Sequence, residues 1–350
     1  MHAPGDEGLR ALLKARRCIQ LDPLDRIGTN ADLVALARLD GVRKGQVYSA
    51  LMPGCGFEHW AKERCIVPAS AWPHYRQRAR MAPWWRLTER LQRIPPEVLQ
   101  AVKQQVLTEG PVSSKELNDH GKVEPLDWSG WEGTGQMASL ALEVLWTRCE
   151  IAVHSREGKT KRYSGADLAL PHHHALTAAE DTQRWELLER VEACGMLSES
   201  AGPWWSSLAA VRGAALVEDL VAEGRLERVG VEGARGSWLC PAGLFEREFP
   251  GDDGRMRILG PLDPLIWDRR LVRLVFGFEY VWEVYKPAHK RRWGYYVCPL
   301  LHQGELVGRF EGRMGEQGLE VLQLWKEHPG FQQVRFEEAL HRHEHALSAG

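Results

Sequence analysis

Gln20 and Asp22 are the residues of this chain whose types and spacing best suit a hydrolytic site. The amide of Gln20 can both donate and accept a hydrogen bond, so it can orient a water molecule. An ionised Asp22 can take a proton from that water and can stabilise positive charge that develops nearby. Taken alone, the pair has a simpler interpretation, in which Asp22 caps a turn and Gln20 is a solvated helix residue.

Pro23 determines how this pair is presented. Because proline disfavours helical geometry in the preceding residue, we predict that the helix starting near Glu7 ends at Asp22. Residues two apart diverge by about half a turn on a helix but share a face in an extended segment. The break before Pro23 is therefore expected to let both side chains reach one water.

Residues 95–171 have the pattern of a helical module that ends in a hairpin. Pro95-Pro96 opens a helix, the Ser113-x-x-Glu116 capping box starts a short second one, and apolar spacing predicts a third over 137–145. Two short strands then flank the glycine turn at 156–158. Three helices followed by a two-stranded wing is the order of a winged helix.

Residues 172–255 repeat this architecture without repeating the sequence. A capping box at Thr177 precedes a helix over 181–193, a later helix covers 216–221, and two strands over 226–240 form a second wing. From about Met256 the pattern changes to strands, over 280–285, 295–301, 306–312 and 319–325, before a terminal helix over 331–347.

Two later segments accompany the Gln-x-Asp pair. Residues 260–270 read Gly-Pro-Leu-Asp-Pro-Leu-Ile-Trp-Asp-Arg-Arg, and residues 290–300 read Lys-Arg-Arg-Trp-Gly-Tyr-Tyr-Val-Cys-Pro-Leu. In this order the three segments resemble the winged-helix DNA glycosylases of the AlkZ/YcaQ type. The resemblance extends from Glu7 to about Trp325 and is most specific at its two ends.

The resemblance implies an α+β fold of tandem winged-helix modules with a small C-terminal antiparallel β-barrel. The expected modules are 1–94, an N-terminal helical or winged-helix module with the catalytic motif; 95–171 and 172–255, each a winged helix; and 256–350, the barrel-like domain with its terminal helix. Asp263, Trp267, Asp268 and Arg269 are expected to hold the barrel against the helical modules.

The resemblance also implies the chemistry. Gln20 and Asp22 match the family positions that direct a water onto the sugar of a damaged nucleotide in double-stranded DNA. Loss of a base from deoxyribose passes through an oxocarbenium-like state, and an alkylated purine leaves with little acid assistance. No lysine lies in the motif, so we expect a monofunctional glycosylase for alkylated purines. The Gln-x-Asp variety resembles the branch that also unhooks interstrand crosslinks.

One departure from the family concerns an Arg-x-His element that often follows the catalytic pair. Thr29 and Ala31 occupy those positions here, with Arg26 as a candidate spatial substitute. The departure bears on the substrate range and on activity, because it changes two positions that follow the catalytic pair.

Further candidates are pocket and DNA-contact residues. In the family-like segment 57–65, His59 and Trp60 either line the pocket for the damaged nucleotide or pack the first domain. Basic side chains that we expect to contact DNA backbone are Lys290, Arg291 and Arg292, beside three aromatic residues, and Lys159, Lys161 and Arg162 on the first wing. Ser113 and Lys115 at a helix start fit a phosphate site, although capping explains the serine equally well.

Composition sets outer limits. The 350 residues are enough for two or more domains, and with a net charge of −2 any DNA contact depends on local basic clusters. Seven cysteines without a Cys-x-x-Cys pair argue against zinc ribbons, iron–sulfur clusters and disulfide frameworks. We expect no metal and no cofactor, and read His341, His343 and His345 as solvated.

Without a long apolar stretch or a signal-peptide pattern, we expect a cytoplasmic, nucleoid-associated monomer that does not contact membranes. The alternative function is a non-catalytic winged-helix transcription regulator. Such a protein needs base-reading side chains on a recognition helix. The segment 135–149 offers Gln136, Ser139, Glu143 and Thr147, with Arg148 as its basic residue.

Overall fold

The computed structural model describes residues 5–81, 87–124, 135–199, 214–249 and 251–348. The helices are α1 (Gly5–Arg16), α2 (Asn30–Leu36), α3 (Gln46–Leu51), α4 (Trp72–Met81), α5 (Leu87–Leu91), α6 (Pro96–Glu109), α7 (Met137–Thr147), α8 (Ala166–Ala169), α9 (Thr182–Cys194), α10 (Ala214–Ala222), α11 (Arg269–Phe276) and α12 (Gln333–Ser348). The strands are β1 (Ile19–Gln20), β2 (Gly56–Trp60), β3 (Arg64–Pro68), β4 (Lys122–Val123), β5 (Gly135–Gln136), β6 (Ala152–Glu157), β7 (Thr160–Ser164), β8 (Leu197–Ser198), β9 (Leu226–Val229), β10 (Trp238–Pro241), β11 (Arg257–Ile258), β12 (Val297–His302), β13 (Glu305–Gly315) and β14 (Gly318–Lys326).

The chain forms two compact units. Unit 1 consists of Met1–Val47 and Glu186–Gly350, and unit 2 is the inserted segment Tyr48–Trp185. Gln20, Asp22 and both C-terminal companion segments fall in unit 1, whereas His59, Trp60 and the first hairpin fall in unit 2. The module boundaries at 94, 171 and 255 stay a prediction.

The first helix of unit 1 is shorter than predicted. It ends at Arg16, because Arg17 adopts a left-handed conformation with φ of 59°. The chain then forms the short strand β1, so the prediction that the helix reaches Asp22 is wrong. Gln20 and Asp22 consequently lie in non-helical backbone.

The second helical region begins with α9, as predicted, but with another cap. The carboxylate of Asp181 accepts hydrogen bonds from the amides of Gln183 (2.9 Å) and Arg184 (3.1 Å), and Thr177 lies too far upstream to cap this helix. In unit 1, β9 and β10 form the predicted hairpin, and β8 pairs with β10 as an additional strand. Leucine and valine side chains of α9, α10 and these strands form one core cluster.

The C-terminal part of unit 1 is an open antiparallel sheet in the order β11-β12-β13-β14. Strands β12, β13 and β14 agree with the predictions, but within the described residues the sheet does not close into the expected barrel. Residues 280–285 form no strand: Tyr280 is buried and its hydroxyl donates to the carbonyl of Val297 at 2.6 Å, so a side chain attaches this segment instead of a backbone ladder. The predicted terminal helix is present as α12, and it packs on the sheet through Phe336 and Ala339.

Unit 2 contains the predicted helices α6 and α7 and the hairpin β6–β7. Its core combines side chains of both helices with Ile151 and Val153. The predicted helix at Ser113 is a turn. The carboxylate of Glu116 accepts from the Ser113 amide at 2.8 Å, which is half of a capping box, but the helix does not continue. Strands β2 and β3 form a separate antiparallel pair.

Candidate active site

Gln20 ends strand β1, and Asp22 lies in the β1–α2 loop, residues 21–29. Gln20 is 4% exposed, whereas Asp22 is partly exposed. The backbone carbonyl of Gln20 accepts a buried hydrogen bond of 2.8 Å from Nδ2 of Asn30, the first residue of α2. This bond fixes the backbone at Gln20 from the far end of the loop.

Asp22 combines turn capping with an unusual electrostatic environment. Its Oδ1 accepts from the amide of Leu24 at 2.9 Å, so the interpretation that Asp22 caps a turn is correct. Burial raises the pKa of Asp22 above its usual value, and the Leu24 hydrogen bond offsets only part of this effect. A poorly solvated carboxylate holds a proton more readily, which is the property required of a general base. Tyr296 is buried nearby, and its pKa is raised by burial, by Cys298 and by the charge of Asp22.

The rest of the loop is attached at two successive carbonyl groups. The carbonyl of Arg26 accepts from the amide of Met314 on β13 at 2.8 Å. The carbonyl of Ile27 accepts from Nε2 of His343 on α12 at 2.6 Å. Gly28 follows with φ of 103°, a conformation that favours glycine. Sheet and terminal helix therefore both contribute to the position of the loop.

The two positions that depart from the family have structural roles. Thr29 caps α2, donating to Oδ2 of Asp32 at 2.7 Å and accepting from its amide at 3.3 Å. Ala31 is fully buried. The guanidinium of Arg26 lies over the ring of Tyr295, 5.0 Å from its centroid. Arg26 is thus committed to an aromatic contact in this structure.

The segment that starts at Gly260 contacts the same region through Asn30. Oδ1 of Asn30 accepts from the amide of Leu262 at 3.3 Å, and a side chain at Gly260 would come within 2.7 Å of that oxygen. Fully buried Asp263 accepts two hydrogen bonds of 2.7 Å from Arg38, which follows α2. The companion segment therefore supports the backbone that carries Gln20.

The basic run at 290–292 lies beside the β1–α2 loop. Lys290 and Arg292 are exposed, and Arg291 is partly exposed. Arg291 lies over the ring of Tyr295 at 4.8 Å, and that ring also contacts Arg26 of the loop. Tyr295 thus links Arg291, the middle residue of the run, to the candidate catalytic segment, while Arg292 lies over Trp293 and 3.8 Å from Glu279.

In unit 2, the predicted DNA contact Lys161 belongs to a buried ionic cluster. Glu58 is bound by Arg156 through two hydrogen bonds, and Nζ of Lys161 lies 3.5 Å from its carboxylate. Burial alone would raise the pKa of Glu58, but these cations lower it; burial lowers the pKa of Lys161 to about 8. Lys161 also lies over the ring of Trp146 at 4.8 Å. These contacts suit a structural role better than phosphate contact.

The other predicted contacts of unit 2 differ in accessibility. Arg162 pairs with Glu116 at 3.2 Å and donates to a backbone carbonyl. Ser113 is buried, and its amide already donates to Glu116, so a phosphate would have to displace that carboxylate. Lys159 at the hairpin turn and Lys115 are exposed. These two lysines are the better candidates for contact with DNA.

His59 and Trp60 pack within unit 2. His59 is 4% exposed, and its ring lies 4.8 Å from Tyr75 and 5.1 Å from Trp146. Burial holds the pKa of His59 well below its usual value. Trp60 is partly exposed and contacts Trp146 and Arg64. The packing interpretation fits His59, and Trp60 keeps some surface for a ligand.

Comparison with known families identifies the relationship. The family model described as DNA glycosylase AlkZ-like matches residues 13–347, nearly the whole chain. The chain belongs to the AlkZ-like DNA glycosylase family. Membership in this family assigns the chain, at family level, to DNA repair by a glycosylase that acts on DNA.

The solved structure of the Streptomyces sahachiroi DNA glycosylase AlkZ is similar to this member of the family. The sequences are 13% identical, the match covers 99% of this chain and 97% of that chain, and the TM-score is 0.55. At this identity the likeness shows the fold, a mixed α/β arrangement with several small antiparallel sheets. No helix among the described residues is long and apolar enough to span a membrane.

Two residues that support the site, Asn30 and His343, were not predicted from the sequence. Asn30 is fully buried within a largely apolar helix, where an amide signals a specific backbone contact. His343 was predicted to be solvated, and this is wrong: it is 5% exposed. The helical spacing could have shown this, since His343 lies seven residues after Phe336 and four before Leu347, both buried on α12.

Proposed function

We propose that the protein hydrolyses the N-glycosidic bond of alkylated purines in duplex DNA, with Gln20 and Asp22 holding the attacking water. The observation that carries the proposal is the partly buried Asp22, whose pKa is raised by burial, two residues after buried Gln20 on a loop attached at both ends. The amide orients the water, and the carboxylate accepts its proton and stabilises the oxocarbenium-like sugar. With no lysine in the motif, the reaction ends at an abasic site.

Unhooking of interstrand crosslinks is the finer part of this proposal. A crosslinked purine cannot be flipped out of the duplex as a single base can. The enzyme would have to attack it in place. The exposed Lys290 and Arg292 flank Arg291, which shares the Tyr295 ring with Arg26 of the loop, and would hold the backbone on both sides of the lesion. The order of helices and hairpins supports winged-helix modules as the remaining DNA contacts. The proposal also includes that the protein acts as a nucleoid-associated monomer in the cytoplasm.

The proposal is tested with duplexes that carry one N7-methylguanine, one N3-methyladenine or no lesion. We expect alkali-labile sites at the lesion only, and no strand cleavage before alkali treatment. A nitrogen-mustard-type purine crosslink should yield separated strands, one bearing an abasic site. Intact crosslinks after prolonged incubation would remove the crosslink claim, and absence of product from both methylated duplexes would remove the glycosylase claim.

Replacing two exposed cationic side chains with neutral ones should weaken binding to damaged and undamaged DNA equally. We expect Lys290→Gln combined with Arg292→Gln to reduce the slope of log K against log salt by about 2, since each lost phosphate contact changes it by about 1. The measurement is a salt titration of duplex affinity by fluorescence anisotropy. Arg335→Gln is the matched control, because Arg335 is also an exposed arginine of unit 1 that pairs with a glutamate, as Arg292 does with Glu279, but it lies outside the basic run. An unchanged slope would place the DNA elsewhere.

The regulator alternative is not favoured. It required free polar side chains on α7, yet Glu143 binds Arg90 at 3.0 Å and Thr147 is buried, donating to the carbonyl of Glu143. A regulator would bind damaged and undamaged duplexes equally and form no abasic sites, so the glycosylase assay separates the two functions.

A further inference from the structure

We propose that His343 is a positioning residue for the β1–α2 loop and thereby sets the rate of the glycosylase reaction. This inference rests on the proposed function of Gln20 and Asp22. The histidine comes from the C-terminal helix and lies 316 residues after Ile27 in the sequence. It belongs neither to the catalytic pair nor to the basic run.

The hydrogen bond between His343 and the loop has a defined direction. A carbonyl oxygen only accepts, so Nε2 of His343 must carry the proton that it donates to the carbonyl of Ile27 at 2.6 Å. Both residues are buried, with Ile27 fully so and His343 5% exposed. Without this donor the Ile27 carbonyl would be a buried acceptor that has lost this hydrogen bond, and folded proteins avoid buried acceptors without a partner. The loop backbone would then have to move to satisfy it.

The helix that carries His343 is itself attached at two further residues that follow the loop contact. The carboxylate of Glu344 accepts from the amide of Leu319 on β14 at 3.1 Å. Near the end of the helix, the carbonyl of Ala346 accepts from the amide of Lys44 at 3.1 Å. A donor on a helix attached in this way restrains the loop more strongly than a surface side chain would.

Leu347 adds a steric contact to the same stretch of loop. An atom added at the Cβ position of Gly28 would lie 3.1 Å from Cδ2 of Leu347, so the helix packs directly on the glycine. Ile27 and Gly28 are thus held by His343 and Leu347, one turn apart on α12. Asp22 lies five residues upstream, and errors of about 1 Å in the placement of a catalytic group can reduce rates by about 100-fold.

The test compares three variants with the wild type. His343→Leu removes the donor, His343→Gln keeps an N–H donor on a side chain of similar reach, and His341→Leu makes the same change at an exposed position of the same helix. We expect His343→Leu to lower the single-turnover rate on methylated duplex 10- to 100-fold with duplex affinity within about twofold. His343→Gln should recover most of the rate, and His341→Leu should match the wild type.

Hydrogen exchange of peptides covering residues 21–29 gives a readout that is independent of activity. His343→Leu should exchange faster there, and His343→Gln should not. Equal exchange in all variants would overturn the proposal, as would faster exchange with an unchanged rate. If the wild type releases no base, the proposed function fails while the exchange data still decide whether His343 holds the loop. Should His343→Leu not fold, His343→Ala, which also removes the donor, takes its place in the comparison with His343→Gln.

Discussion

Asp22→Asn is expected to lower the rate of base release by about 100- to 10,000-fold, the range associated with loss of a general base or of a charge beside the transition state. The substituted amide can still accept the hydrogen bond from Leu24 that the carboxylate accepts now. Folding should therefore be preserved. The measurement is single-turnover formation of abasic sites on a duplex with one methylated purine.

The raised pKa of Asp22 gives the same prediction a pH dependence. Only the ionised carboxylate can accept the proton of the water, so the wild-type rate should fall on acidification at a pH above the usual aspartate range of about 3.9. The folding stability depends on pH in the opposite direction to the rate: the contribution of Asp22 is most favourable at low pH. The penalty for the buried charge is absent while Asp22 is protonated in both states, and it is complete above the folded-state pKa. Asp22→Asn should thus melt at the wild-type temperature or higher at neutral pH.

Asp252→Asn is the matched control, because it removes the same charge from an exposed position in unit 1. It should change neither the rate nor its pH profile. A wild-type rate in Asp22→Asn would exclude Asp22 as the base. A large loss of melting temperature in that variant would instead show that the carboxylate serves mainly to close the turn.

The candidate pair could be read from the sequence, but its backbone could not. Pro23 correctly predicts that no helix continues past Asp22, but the prediction that the helix reaches Asp22 is wrong, because it ends at Arg16, before Arg17 takes up a left-handed conformation. Non-glycine residues rarely do so, and no local pattern marks the site. Similarly, the contact of His343 with Ile27 joins positions that only the folded chain brings together.

Helices and hairpins with strong local signals were predicted well, whereas elements that depend on distant partners were not. Helices α6, α7 and α10 have regular apolar spacing and clear ends, and strands β12 to β14 are separated by turn residues. The segment 280–285 has the composition of a strand but is attached through the Tyr280 side chain. At Ser113 the sequence matches a capping box, but too few helical residues follow it.

Charge was the least predictable property from the sequence. Lys161 and Arg162 look like DNA contacts on a hairpin, yet they bind Glu58 and Glu116, whose proximity requires the folded unit. Conversely, Lys290 and Arg292 are exposed, although Arg292 lies 3.8 Å from Glu279, and their contact with DNA stays a prediction. The aromatic ring of Tyr295 that joins this run to the catalytic loop became visible only in the structure.

Asp263→Asn is expected to destabilise the protein by about 3–5 kcal/mol, the usual cost of leaving one buried charge without its partner. The carboxylate is fully buried and binds Arg38 through two hydrogen bonds of 2.7 Å. Asparagine can still accept from the amide of Leu265, as Asp263 does at 2.9 Å, so the local turn should survive. Urea denaturation measures the change in the free energy of unfolding.

A double-mutant cycle separates the ion pair from local packing. Because Arg38→Met also removes the uncompensated charge, the combined variant should be clearly more stable than the sum of the two single losses predicts. Glu338→Gln breaks the exposed pair with Arg335, whose side chains are 43% and 44% exposed, and should cost at most about 1 kcal/mol. Additive losses in the cycle would contradict a direct charge interaction. Since the amide of neighbouring Leu262 supports Asn30, and Asn30 holds the Gln20 backbone, loss of Asp263 should also lower the rate of base release in the fraction that remains folded.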